Sequence, residues 1–378
     1  MPRNVLLLGL VSFLTDVGTE MTLPILPLFL VSLGAAPAAI GLIEGLAMSA
    51  ANLFQLLSGW LSDKLGRHKP IFGAGYSLSA LAKAGYAAAT AWPHVLILRF
   101  ADRAGKGIRG APRDALLAEY TTGVGRGAVF GFHRALDKAG AVLGPAIALV
   151  IVGVVSTRDL FLIAAIPGFI AVALILLVRE IRHPGKAIGL RLSITGLTPA
   201  LRTPLAIIML FSLANFSYAF AILRAGELGF GLAAAAGLYL VYNAFYSGLS
   251  IPAGSLSDRL GRRPMLALGY GAFAVMCIGF VWADGLLALG ALFALFGVSM
   301  ALTDAVQAAY IADIEPESKG TALGLYHTLV GVAALPASVI AGALWQAFGW
   351  WAAFGFGAVL SAAAALAILV FGQRRSKA

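Results

Sequence analysis

Apolar runs of twenty or more residues recur along this chain, and very few folds can accept even one of them. Each is long enough to cross a hydrocarbon layer as a helix, which takes about 20 residues at 1.5 Å apiece. A backbone in hydrocarbon must satisfy its own N–H and C=O groups, so the runs predict helices. Twelve can be marked off, at 5–32, 38–61, 71–91, 94–117, 126–154 and 160–180, then at 204–225, 232–253, 264–283, 285–312, 319–345 and 348–372. Composition agrees: 60% of residues are hydrophobic and 12% charged, against roughly half and a quarter in soluble globular chains. The start, MPRNVLLLGLVSFL, has the basic end and apolar centre of a secretory signal. The length of the run, Asp16 and Glu20 within it and the want of a cleavage site predict a retained first span instead.

Most links between spans are tight turns with Gly or Pro, such as SLGAAPAA and AWPH. One long basic link over 181–203 separates a six-span bundle, 1–180, from a second at 204–372, and 373–378 forms a tail. Seven cations are embedded: Lys83, Arg99, Arg103, Lys106, Arg109, Arg134 and Lys138. Nearly all the others fall on one side of the membrane, with only Arg158 and Arg224 opposite. The positive-inside rule then predicts a multi-pass protein of the cell membrane with both termini cytoplasmic. It also accounts for the net charge of +10 without a nucleic-acid partner. The single cysteine, Cys277, excludes an internal disulfide and a cysteine-based metal cluster.

The two halves repeat. GWLSDKLGRHKP (59–70) and GSLSDRLGRRPM (254–265) share G-x-L-S-D-[KR]-L-G-R, each after the second span of its half. A weaker echo links AEYTTGVGRGAVFG (118–131) with ADIEPESKGTALG (312–324). A same-orientation repeat of two six-span bundles implies a pseudo-twofold axis along the membrane normal.

On these two loops the chain resembles the major facilitator superfamily, over its whole length. The resemblance implies an all-α polytopic membrane protein, with twelve transmembrane helices in two pseudo-symmetric six-helix bundles. It implies a secondary transporter working by alternating access, a monomer that needs no cofactor. It implies that Gly59, Asp63, Gly66 and Arg67, with Gly254, Asp258, Gly261 and Arg262, form the gating loops, Asp63 and Arg67 acting as a charge-relay latch. In GAVLGPAIA (140–148), Gly140, Gly144 and Pro145 resemble the G-x-x-x-G-P element of antiporters, although Ala148 stands where glycine is usual. Two small residues let helices touch, and proline bends one.

The embedded charges are the other informative feature, because each costs about 2.5–3.5 kcal/mol at the bilayer centre. Span one carries Asp16 and Glu20, four apart and so on one helix face. Span two has Glu44, and span three has Lys83, expected to partner a carboxylate. Span four supplies Arg99, Asp102, Arg103, Lys106 and Arg109; span five supplies His133, Arg134, Asp137 and Lys138. At 1.5 Å per residue, Asp16, Arg103, Asp137 and Lys138 lie at mid-membrane, and Glu20 and Glu44 nearer the outside. Arg99, Arg103, Lys106, Gly110 and Arg113 form one stripe of span four. The resemblance puts spans one and four along the translocation path and matches Arg99 to a span-four arginine. Asp102–Arg103 replaces the Gln-Gly usual after it.

Two readings of these charges stand open: a static network joining spans one, four and five, or carboxylates that bind protons while the cations tune them or hold an anion. The second half is quieter. Its candidates are Asn215, Tyr218, Tyr239, Tyr242, Asn243, Asp304, Gln307, Tyr326 and His327.

The stretch RFADRAGKGIRGAPRD (99–114) also fits a G-x-G-x-x-G nucleotide loop at Gly105, Gly107 and Gly110. That loop needs a βαβ unit, and this stretch has membrane spans on both sides. No Walker motif, H-E-x-x-H or G-x-S-x-G occurs, and the five histidines lack metal-ligand spacing. Neither an enzyme nor an ATP-driven pump is indicated, and no metal site. The sequence points to proton-coupled antiport or efflux of a small molecule or ion. The cargo could be an organic or phosphorylated anion, a metal cation or a hydrophobic drug-like compound. A non-transporting membrane sensor of the same fold is the remaining alternative.

Overall fold

The computed structural model describes residues 1–121, 125–180, 184, 199–315 and 319–372. Most of the linker predicted over 181–203, and the tail at 373–378, lie outside them. Among the described residues the regular structure is entirely helical. Two compact units divide the chain, Met1–Ala35 with Ala50–Leu190 and Ala235–Gly237, and Ala36–Ser49 with Arg191–Ala234 and Leu238–Ala378.

The first half contains α1 (Arg3–Thr22), α2 (Leu26–Ser32), α3 (Pro37–Leu65), α4 (Lys69–Gly85), α5 (Trp92–Glu119), α6 (Arg126–Ile151) and α7 (Thr157–Leu176). The second contains α8 (Pro199–Ala214), α9 (Ala219–Glu227), α10 (Leu232–Leu260), α11 (Arg262–Trp282), α12 (Leu286–Ile314), α13 (Lys319–Phe348) and α14 (Trp350–Phe371). With α1–α2 and α8–α9 each taken as one interrupted pass, these are the twelve predicted spans. Nine passes are long and apolar enough to cross a membrane on length and composition alone. The exceptions are α4, which is short, and α5 and α6, which carry the embedded charges. Apolar side chains face outward, with Leu287 90% and Trp282 81% exposed. An outer surface of that kind suits hydrocarbon, not water.

Spans one and seven are broken at corresponding places. Pro24 sits in the gap between α1 and α2, where it removes a helical N–H and crowds the preceding turn. The gap between α8 and α9 has no proline. There Ser217 supplies a competing hydrogen bond, its Oγ accepting from the Ala219 N–H at 3.2 Å.

In the first unit α1 lies against α6 and α7, and α4 against α5. The α4–α5 joint is very close. A β-carbon on Gly105 would stand 2.6 Å from the Gly75 carbonyl oxygen, and one on Gly75 would stand 2.6 Å from that of Gly105. Gly105→Ala is therefore expected to cost about 1–3 kcal/mol by forcing backbone apart. Gly271→Ala, on α11 with no neighbour within 4 Å, should be neutral or stabilising by about 0.5–1 kcal/mol. Thermal unfolding of the two purified variants checks the contrast.

The second unit builds the matching joint from Gly269 and Ser299, whose Oγ donates to the Gly269 carbonyl at 2.8 Å. Its core is aromatic. Phe211 stacks on Tyr270 at 4.1 Å and Phe280 on Phe354 at 4.8 Å.

Both loop motifs end a helix on a left-handed glycine, Gly66 at φ 61° and Gly261 at φ 96°. A β-carbon would strain either. In the second copy Arg262 pairs with Asp258 at 2.6 Å and with Asp313, near the end of α12, at 3.2 Å. In the first, His68 bonds Ser62 and pairs with Glu119, at the end of α5, at 3.3 Å. The joint is the same and its chemistry differs. Asp63 and Arg67 are both exposed.

Candidate functional site

The embedded charges of the first unit fall into two linked groups. In the inner one Asp102, on α5, is held by three cations. Lys83 Nζ reaches across from α4 to Oδ1 at 3.2 Å, while Arg103 Nη2 and Arg99 Nη1 approach Oδ2 at 3.2 and 3.7 Å. All four side chains are buried. Lys83 also donates to the Ser79 carbonyl at 3.3 Å, and Ser79 Oγ donates to the Asp102 carbonyl at 2.9 Å. The partner expected for Lys83 is thus Asp102, reached because Gly75 and Gly105 let α4 and α5 nearly touch. Among the described residues, Arg103 Nε and Nη2 have no hydrogen-bond partner.

The outer group joins α1, α5 and α6. Arg109 packs over the Tyr76 ring at 4.8 Å, donates to Ser79 Oγ at 2.9 Å and reaches Asp16 Oδ1 at 3.8 Å. Ser79 therefore connects the two groups. Arg113 donates to Ser12 Oγ at 3.1 Å and holds Asp114 at 2.8 Å. Ser12 in turn donates to Asp137, which His133 Nδ1 approaches at 3.6 Å. Lys106 is exposed and within electrostatic reach of Asp16 and Glu20.

Helix α6 fixes where these carboxylates stand. A β-carbon on Gly140 would lie 2.7 Å from the Phe13 carbonyl and 3.1 Å from Asp16 Cβ; on Gly144, 2.7 Å from the Val17 carbonyl and 2.8 Å from Glu20 Cβ. Each glycine of the G-x-x-x-G-P element thus seats the turn of α1 that carries one carboxylate. Pro145 is inside the same helix.

Other sequence candidates lie elsewhere. Glu44 is buried among residues of the second unit and accepts from Ser217 Oγ at 3.1 Å. Asn215 occupies the break between α8 and α9, with Nδ2 3.8 Å from Met300 Sδ. His327 is exposed, its ring 4.7 Å from that of Tyr326. Arg134 is exposed and Lys138 half-buried on α6. Ser12 was not singled out by sequence, although it precedes Asp16 by one helical turn and shares its face. Arg113 was visible only as part of a stripe. No group of three or more His, Cys, Asp or Glu suited to a metal occurs among the described residues.

A chain of helical passes with outward apolar surfaces and a repeated bundle plan is a polytopic membrane protein. The Major Facilitator Superfamily profile matches residues 8–242 and again 203–378, and the chain belongs to that family of transporters, which are not enzymes. It is 39% identical to an uncharacterized MFS-type transporter of Methanocaldococcus jannaschii over 355 residues, 91% of this chain and 89% of the relative. Similarity reaches the quinolone resistance protein NorA of Staphylococcus aureus, at 24% identity over 92% of this chain and 91% of that protein. The crystal structure of a POT family transporter in complex with 5-aminolevulinic acid superposes with a TM-score of 0.80. That match has 13% identity and covers 100% of this chain and 97% of the other; at that identity it speaks for the fold.

Proposed function

We propose that this transporter exchanges protons for a small molecule or ion by alternating access, in the direction of export, from a cell membrane in which both termini are cytoplasmic. The observation that carries the reading is the α1–α5–α6 junction. Two protonatable carboxylates, Asp16 and Asp137, stand on facing helices, and each is tied to an arginine of α5: Asp16 directly to Arg109, Asp137 through Ser12 to Arg113. A proton arriving on Asp137 removes the charge that Ser12 and His133 face, and one arriving on Asp16 removes the charge facing Arg109. Either event loosens a link between helices, which is what coupling requires of a switch. Export is supported by the GAVLGPAIA element and by the likeness to NorA. The two loop motifs are the proposed gates, and the protein acts as a monomer in the bilayer.

Proteoliposomes loaded with a pH dye test this with organic anions, metal cations and hydrophobic amines as cargo. Wild-type protein should move protons when one of these classes is supplied. Asp16→Asn and Asp137→Asn should each reduce that movement to background while inserting and melting normally. Proton flux at the wild-type rate in both variants would overturn the reading.

A further inference from the structure

We propose that the cargo is an anion bearing a carboxylate or a phosphate, received by Arg103 together with Lys106; this rests on the reading above only in taking the bound species to be cargo. Three cations surround the single carboxylate of Asp102, so the inner group carries more positive charge than its own residues balance. Arg103 is the surplus member on two counts. Its Nε makes no hydrogen bond among the described residues, and its Nη2 approaches Asp102 Oδ2 at 3.2 Å outside hydrogen-bond geometry. The residue is 5% exposed, and a buried guanidinium with unused donors is costly. If Arg103 turned away, Asp102 would keep Lys83 and Arg99. The repeat agrees without singling it out. At the offset of 194 that matches Gly75 to Gly269 and Tyr76 to Tyr270, Arg103 corresponds to Gly297, Lys83 to Cys277 and Arg99 to Phe293, so the shared framework needs none of the three cations.

Lys106 is three residues along α5, on the same face as Arg103, and exposed. An anion at that ammonium lies next to a buried guanidinium whose Nε makes no hydrogen bond among the described residues. Arg103 can then leave Asp102 for a planar carboxylate or for phosphate oxygens, which its fork of N–H groups fits.

The test uses purified full-length protein in detergent at constant pH. Its melting temperature is measured with inorganic phosphate, glycerol 3-phosphate or citrate, each against sodium chloride of equal ionic strength. At least one anion should raise Tm by about 2–4 °C. Phosphate compounds acting alone assign the cargo to the phosphate class, citrate acting alone to the carboxylate class. Arg103→Gln and Lys106→Gln should abolish the shift, and Arg103→Lys should retain part of it. Without added anion, Arg103→Gln should melt at or above the wild-type temperature, because it removes an unbalanced charge.

The proposal is overturned if none of the three anions shifts the wild type, or if the shift survives in Arg103→Gln. It is equally overturned if ligand-free Arg103→Gln melts as far below the wild type as Asp102→Asn does. Proton coupling is read separately, in Asp16→Asn and Asp137→Asn. An intact anion shift without proton movement would sink antiport and leave this inference standing.

Discussion

Asp102→Asn is expected to destroy the first unit, not merely to slow transport. The substitution keeps the shape of the side chain and removes the charge that Lys83, Arg99 and Arg103 approach at 3.2, 3.7 and 3.2 Å. Breaking one buried pair by taking away a partner costs about 3–5 kcal/mol, and here three like charges are left together. The loss also falls on a joint with no slack, because α4 and α5 already meet backbone to backbone at Gly75 and Gly105. Size-exclusion chromatography of the detergent extract should show aggregate in place of a single peak, with any residual folded fraction melting far below the wild type. Adding Lys83→Met and Arg103→Gln to Asp102→Asn should restore much of the peak. A single Asp102→Asn variant that melts with the wild type would show that the cluster does not hold these helices.

The other repeat shows that the fold does not require this cluster. At the same offset, Lys83, Arg99 and Asp102 correspond to Cys277, Phe293 and Phe296, and that joint is closed by aromatic packing, with Phe280 and Phe293 at 5.8 Å and Phe273 and Phe296 at 5.7 Å. Apolar packing at such a place is often as stable as a buried ion pair, or more so. One bundle therefore keeps an expensive charged core where its sibling has the cheaper one, a difference that fits the proposal that the charges serve transport.

Much of this was legible in the sequence, for reasons that mark its limits. Spans announce themselves because a helix in lipid must be apolar for its whole length; even the charged α5 and α6 were bracketed to within a few residues. The two loop motifs were legible because a left-handed glycine ends the helix in both, at Gly66 and Gly261. Pairing was not legible. Arg99, Arg103 and Lys106 share a stripe on α5, but what reaches Asp102 from α4 depends on how closely two glycines bring the helices together. Ser12 looked like an ordinary small residue of a membrane helix, and its importance comes from α5 and α6 converging on it. Span seven reads as continuous over 204–225, since the break at Asn215–Tyr218 is made by a side chain competing for the backbone and not by proline. Glu44 was grouped with the α1 carboxylates by depth alone, and depth says nothing of which neighbour a helix face meets.

Gly144→Ala is expected to lower transport on the order of 10²-fold, the scale at which a displacement of about 1 Å acts on a positioned group. The added methyl would stand 2.7 Å from the Val17 carbonyl and 2.8 Å from Glu20 Cβ. Neither neighbour is the free end of a flexible side chain, so α1 itself must move. That motion pulls Glu20 and, one turn away, Asp16 from their places, and it lengthens the 3.8 Å approach of Arg109 to Asp16 before any charged residue has been changed. Gly140→Ala should act in the same direction through the Phe13 carbonyl at 2.7 Å. Gly131→Ala, on the same helix with no neighbour within 4 Å, should transport as the wild type does. Initial rates in proteoliposomes, normalised to inserted protein, separate the three. If the element served only to bend α6 at Pro145, Gly144→Ala and Gly131→Ala would behave alike; a deficit confined to Gly140 and Gly144 ties the element to the carboxylates that it seats.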